Sequence, residues 1–177
     1  VVVPSSAHAD IARACAPHLR DGQILLLHPG RTGGAIEVAR LLRDAGCRAD
    51  VTIAETETFL YASRSDGPAQ VRIFRIKDAV PLAALPSTRT DAVLEAIKDA
   101  FPQYIHGVNV LHTGLNNMGA IFHPALTILN AGRIESTNGD FQFYLDGATS
   151  SVARVLEVLD RERVTVAAAL GIRARTA

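Results

Sequence analysis

The chain has 177 residues, enough for one good core or two small ones. With 48% hydrophobic residues, 18 basic side chains against 18 acidic ones and its arginines scattered, it offers nothing that would recommend a nucleic acid or an anionic membrane surface as partner. No apolar run approaches the ~18 residues of a membrane helix and no signal segment is visible, so the expectation is a cytoplasmic protein with Cys15 and Cys47 reduced and buried.

In chain order, Val1-Val2-Val3-Pro4 reads as the last turn of a buried strand without a lead-in, which predicts an internal piece of a longer protein. Ser6 is a fair N-cap for a helix over 7–19, with Ile11, Ala12, Cys15 and Leu19 inward. Asp21-Gly22 turns the chain into an apolar strand over 23–28. The run Pro29-Gly30-Arg31-Thr32-Gly33-Gly34 leads into a helix to about residue 45, and 50–54 is another buried strand. Strand and helix alternating at this spacing predict βαβ units and a parallel sheet. Residues 58–64 and 70–77 read as two strands joined by a turn at Ser65-Asp66-Gly67-Pro68, the second half exposed at a sheet edge. A short strand over 79–85, an amphipathic helix from Pro86 to about Ala100 and an extended piece at 105–110 complete this part.

The stretch 111–135, LHTGLNNMGAIFHPALTILNAGRIE, reads as one long apolar helix. At ~100° per residue, His123 shares a face with Asn116, Gly119, Thr127 and Asn130, a narrow polar stripe of the kind that lines a cavity or a polar interface. Pro124 cannot donate to the carbonyl of Ala120, so the helix is expected to kink or restart at His123. Beyond a polar loop and Phe141, Phe143 and Tyr144, Thr149 or Ser150 caps a last helix to about Leu170. Its predicted apolar face is Val152, Val155, Leu156, Leu159, Val166 and Leu170, and the Arg/Glu pattern over 154–163 is a solvated face. The boundary falls near 110, with an α/β part over 1–110 and an all-helical part over 111–177.

Glycines between a buried strand and a helix permit positive φ and close backbone approach, and amides at a helix N-terminus attract anions. The 29–34 loop is therefore either a ligand-facing loop or a turn that merely fits the geometry, and spacing alone does not decide. Position favours the ligand: Val3-Pro4-Ser5, His28-Pro29-Gly30 and Ala54-Glu55-Thr56 are three successive strand ends, where open α/β sheets bind ligands. The phosphate-binding G-x-G-x-x-G is absent. A lone histidine such as His123 is more often a hydrogen-bonded core residue than an acid or base; the proline and the polar stripe favour the functional role. Asn116 and Asn117 either bind substrate or cap the helix start. The six histidines show no ligand spacing, so no metal site is expected.

Four ordered stretches, VVVPSSAHADIA, PGRTGGAIE, ETETFLYASR and LNNMGAIFHPALTILNAGRIE, resemble the opine dehydrogenases of the octopine/nopaline dehydrogenase family, and GDFQFYLDGAT and LDRER fit the same family. The resemblance implies the second part of a Rossmann-type parallel sheet with edge hairpin strands, followed by a helical domain like the C-terminal one of 6-phosphogluconate dehydrogenase. It implies NAD- or NADP-dependent reductive condensation of an amino acid with a 2-oxo acid, and it leaves a homodimer open. By position, His123 matches the family's catalytic histidine. Pro4, Ser5, Pro29, Gly30, Arg31, Thr32, Gly33, Glu55 and Thr56 match segments at the cofactor. Asn116 and Asn117, with Thr127 and Asn130 on the same stripe, fall to the substrate. Gly119 stands where many relatives carry asparagine, and the aspartate that orients the family's histidine lies farther downstream; Asp140, Asp146 and Asp160 are no obvious substitutes. The piece alone is therefore expected to be inactive.

Two alternatives stand beside it. Glycerol-3-phosphate dehydrogenases and ketopantoate reductases share the two-domain plan but call for a lysine on the helical domain, whereas Lys77 and Lys98 both precede it. A non-catalytic binding or dimerisation module is the other.

Overall fold

In the computed structural model, which describes residues 1–177, the chain forms two units, Val1–Gly114 and Leu115–Ala177. The first runs through α1 (His8–Cys15), β1 (Ile24–Leu27), α2 (Gly34–Asp44), β2 (Thr52–Thr56), β3 (Tyr61–Gly67), β4 (Gln70–Ile76), β5 (Val80–Leu85), α3 (Thr90–Ile97), β6 (Tyr104–His106) and α4 (Val110–Leu115). Its main sheet has the order β1-β2-β5-β6. Along β2 and β5 alternate residues serve opposite faces. Ile53 and Ala83 join Leu27, Val38, Leu42 and Val110 in one core; Ala54, Leu82 and Ala84 join Leu60, Val80 and Val93 in the other. With a core on each face, the strands read as continuous apolar runs.

The strands expected from the sequence are present, but the sheet is mixed. β1 and β2 are parallel, with Ile24 opposite Thr52, while β5 runs antiparallel to β2 and parallel to β6. The β3–β4 hairpin explains the reversal: it leaves and returns at the same end of β2, so the next strand must enter from that end and run back. The hairpin itself is a separate two-stranded sheet rather than an edge of the main one, and all its residues are exposed. Its turn lies at Pro68-Ala69, because β3 continues through Gly67. At the outer edge of β1, the Val1 amino group donates to Leu26 O (2.6 Å) and His28 N to Val1 O (2.9 Å), the pairing an extended strand would make. Ser6 is not a helix cap; Ser5–Ala7 is a 3-10 turn, and α1 follows Ala7 without a side-chain cap bond.

The second unit holds α5 (Gly119–Leu129), α6 (Ala131–Thr137) and α7 (Ser150–Ala169). The single helix expected over 111–135 is thus three helices, and the breaks are not at the proline. Pro124 lies inside α5, and the carbonyl it leaves without a helical donor belongs to Ala120, an exposed residue that water can reach. The breaks fall at 116–118 and at Asn130. At the latter, Nδ2 donates to the Leu126 carbonyl, so the side chain competes with the backbone ladder. Thr149 caps α7 as expected, its hydroxyl accepting from Val152 N at 3.4 Å. Leu126, Ala125 and Leu156 form the core of this unit, with Phe143, Val152 and Leu159 packed against it.

Two expectations for α7 fail. Val155, Val166 and Leu170 are exposed. Arg163, within the Arg/Glu pattern read as solvated, instead forms a buried ion pair with Asp160 (2.6 Å, side chains 7% and 11% exposed). Arg163 also donates to the carbonyls of Leu115 and Arg175, and Ala177 N donates to the Asp160 carboxylate. The pair turns inward because it satisfies backbone groups that apolar residues could not. No helix is long and apolar enough to cross a membrane.

Candidate active site

The first group of site residues lies at the strand tips of the first unit. Because Val1 pairs along β1 and β1 runs parallel to β2, the ends at Pro4-Ser5, Pro29-Gly30 and Glu55-Thr56 lie at one edge of the sheet. Gly30 N donates to Thr56 O at 3.3 Å and joins two of them. The loop needs its glycines. A Cβ on Gly30 would stand 2.3 Å from Glu55 Oε2, and Gly33 holds φ +81°, the left-handed region that side chains disfavour. Arg31 adopts φ 62° despite its side chain, and its guanidinium lies 5.2 Å from the centre of the Phe59 ring.

Glu55 is fully buried beneath this loop. Oε2 accepts from Ala35 N (2.9 Å) at the N-terminus of α2, and Oε1 lies 2.5 Å from Thr113 Oγ1 on α4. Burial pushes its pKa up to about 7, over the opposing pull of those two hydrogen bonds. Thr113 Oγ1 also lies 3.1 Å from Val110 O. A protonated Glu55 can therefore donate to the hydroxyl while the hydroxyl donates to that carbonyl. Thr56 is equally buried and donates to Thr58 O. Both residues, which the sequence places at the cofactor, have their polar atoms engaged within the protein. Pro29 and Gly30 are buried too. Pro4, Ser5 and Thr32 are exposed, Arg31 and Gly33 half-buried, and the Thr32 hydroxyl donates to Gly114 O at 3.2 Å.

This arrangement limits what a dinucleotide could find here. The Ala35 amide, which an anion at the α2 N-terminus would use, already binds the Glu55 carboxyl. A pyrophosphate at that terminus would find this amide taken. Ser5 and Thr32 are the exposed hydroxyl-bearing residues left at this rim.

The second group lies in the helical unit. His123 is exposed on α5, not sealed in the core. Its Nδ1 lies 3.0 Å from Gly119 O, and its Nε2 2.7 Å from Tyr144 Oη. A carbonyl can only accept, so Nδ1 carries the proton and Nε2 of the neutral ring accepts from the tyrosine. Thr127, one turn on and exposed, donates to His123 O at 2.8 Å. Asn130 is buried, its amide bound to Leu126 O and Gly147 O. Asn116 Oδ1 accepts from Arg175 N at 2.9 Å. Asn117 is buried, and its Nδ2 has no hydrogen-bond partner.

Sequence periodicity missed Tyr144, because a loop has no period to read. The aromatic cluster Phe141-Gln142-Phe143-Tyr144 is the only signal it leaves. It missed Thr113 as well, a small residue on a helix start.

Residues 106–177 match the family described as NAD/NADP octopine/nopaline dehydrogenase, alpha-helical domain. The chain is 44% identical over 172 residues to an opine dehydrogenase of Arthrobacter sp. (strain 1C), a match covering 97% of this chain and 47% of that one. An octopine dehydrogenase solved with NADH and L-arginine superposes with TM-score 0.69 at 24% identity, over 96% of this chain and 43% of that chain. A yersinopine dehydrogenase with NADP+ bound gives 0.78 at 17% identity, over 98% and 45%. At those identities the two structures speak for the fold. The resemblance carried by the sequence motifs is borne out: the chain is similar to an opine dehydrogenase over 97% of its length, and it spans about half the length of the relatives it matches.

Proposed function

We propose that this relative of the opine dehydrogenases is part of an enzyme that condenses an amino acid with a 2-oxo acid and reduces the resulting imine at the expense of NADH or NADPH, with His123 as the general acid–base. What carries the proposal is the likeness to an opine dehydrogenase along 97% of the chain, together with the family's helical domain over 106–177, the stretch that contains His123. The description of the matching family, NAD/NADP octopine/nopaline dehydrogenase, supports the cofactor class.

The reduced nicotinamide supplies the hydride. The chain's own share is the proton and the placing of substrate. Imidazole gives and takes a proton near neutral pH, which suits imine formation and reduction alike. In His123 the Nδ1 atom is committed to Gly119 O, which leaves Nε2 as the exchanging nitrogen. Of the four polar residues assigned to substrate, Asn117 keeps an amide donor without a partner and is the one suited to a substrate oxygen. Asn130 is occupied in holding Gly147, and Thr127 in bonding back to His123. Pro4, Ser5, Arg31 and Thr32 form the accessible cofactor rim, with Pro29, Gly30, Gly33, Glu55 and Thr56 shaping it from below.

The test is turnover by the complete protein with NADH or NADPH. Cofactor oxidation that requires both an amino acid and a 2-oxo acid is the expected result. Oxidation with a phosphorylated ketone alone would reject the proposal in favour of the glycerol-3-phosphate dehydrogenase plan.

A further inference from the structure

The loop between α6 and α7 is held at several points. Asn130 Nδ2 donates to Gly147 O (3.1 Å), Arg133 Nη1 to Asp146 O (3.1 Å), and the Asp146 carboxylate accepts from Gln142 N (2.9 Å). The Arg133 guanidinium also lies over the Phe141 ring, 4.9 Å from its centre. Gly147 is required, since a Cβ there would stand 2.3 Å from Phe143 O. Phe143 packs against the helical core, and the Tyr144 ring meets it edge to face at 5.1 Å. A loop this restrained does not wander, and it delivers Tyr144 Oη to His123 Nε2 at 2.7 Å.

We propose that Tyr144 is a positioning residue for His123: its hydroxyl fixes the imidazole's rotation and is the hydrogen-bond partner of Nε2 between turnovers, while Gly119 O sets the tautomer. The inference deepens the opine dehydrogenase proposal and rests on it for the role of His123. With Nδ1 held by Gly119 O and Nε2 by Tyr144 Oη, the ring cannot flip without breaking both bonds. When the neutral ring accepts at Nε2, the hydroxyl donates. When the ring is protonated, Nε2 donates and the hydroxyl oxygen accepts. One hydroxyl therefore serves both forms, and no other atom need move. In this light Asn130 and Arg133 belong to the same device, as anchors of the loop that carries the tyrosine.

Tyr144→Phe in the complete protein removes only the hydroxyl and keeps the ring's packing on Phe143. The expected result is a kcat lowered by on the order of tenfold or more, the scale of a lost hydrogen bond to a charged group, with both substrate KM values within about twofold. The same variant is examined without substrates by 15N NMR of the His123 ring. The Nε2 resonance is expected to move toward that of a free pyridine-type nitrogen. A raised KM with unchanged kcat overturns the inference, because Tyr144 would then contact substrate. An unmoved Nε2 resonance overturns it as well. Because that resonance is read without substrates, it separates the two proposals: a complete protein that reduces no imine, yet shows the shift, sinks the opine dehydrogenase reaction and supports the placement of the ring.

Discussion

Replacing Glu55 by glutamine should make the protein's stability less dependent on pH, and the structure sets the size of the effect. The carboxyl is fully buried, and its pKa rises from 4.5 to about 7. Between those values the folded chain holds a proton that the unfolded chain has lost. Stability is then greatest below pH 4.5 and falls as the pH rises to 7. At ~1.4 kcal/mol per unit, the group alone removes about 3 kcal/mol across the window. Glutamine mimics the protonated acid: its Oε1 accepts from Ala35 N, and its Nε2 donates to Thr113 Oγ1, leaving that hydroxyl to donate to Val110 O. Urea unfolding of wild type and Glu55→Gln at about pH 5 to 8 isolates the residue, because all other titrations cancel in the difference. The difference should grow with pH and favour the glutamine variant at the alkaline end. A wild type that is flat over this range, with the variant weaker by a constant amount, would show that the two donors hold the carboxylate ionised and would refute the reasoning.

Gly30→Ala places a methyl 2.3 Å from Glu55 Oε2 and should cost about 1–3 kcal/mol by overpacking; Gly46→Ala, at φ +77° with nothing near, should cost about 1 kcal/mol. Thermal unfolding of the two variants ranks them, and equal losses would show that the loop yields freely. Asp160→Ala leaves the Arg163 guanidinium buried without its carboxylate and should cost about 3–5 kcal/mol, whereas changing both residues to Leu and Met together should cost less. Denaturant unfolding of the single and double variants decides whether the pair or its packing matters.

Much of the first unit could be read from residue order. Runs such as Ile24–Leu27 and Val80–Leu85 are apolar because the sheet is covered on both faces, and Thr149 caps α7 by a local bond to Val152. What could not be read depends on partners far along the chain. The direction of β5 follows from where the hairpin returns, not from the residues of β5. The helix end at Asn130 follows from a side chain that also holds Gly147, 17 residues on. Glu55 looks like a ligand group at a strand tip, yet alternation turns its side chain inward, under Gly30 and against Thr113, 58 residues away. Helical spacing groups His123 with Gly119 and Thr127, as the structure does, but Asn116 and Asn130 of the expected stripe fall at the breaks on either side of α5, and Tyr144, which completes the ring's environment, sits in a loop where spacing carries no information. Asp160 and Arg163 look solvated beside their charged neighbours, and only the carbonyls of Leu115 and Arg175 explain why they are buried.

The most direct test of the central claim is kcat/KM of His123→Ala in the complete protein, measured with saturating reduced nicotinamide cofactor and both organic substrates. A general acid–base held at Gly119 O and Tyr144 Oη predicts a loss on the order of 10²–10⁴ with the fold intact. Activity within a few fold of wild type would contradict it and make His123 a structural residue.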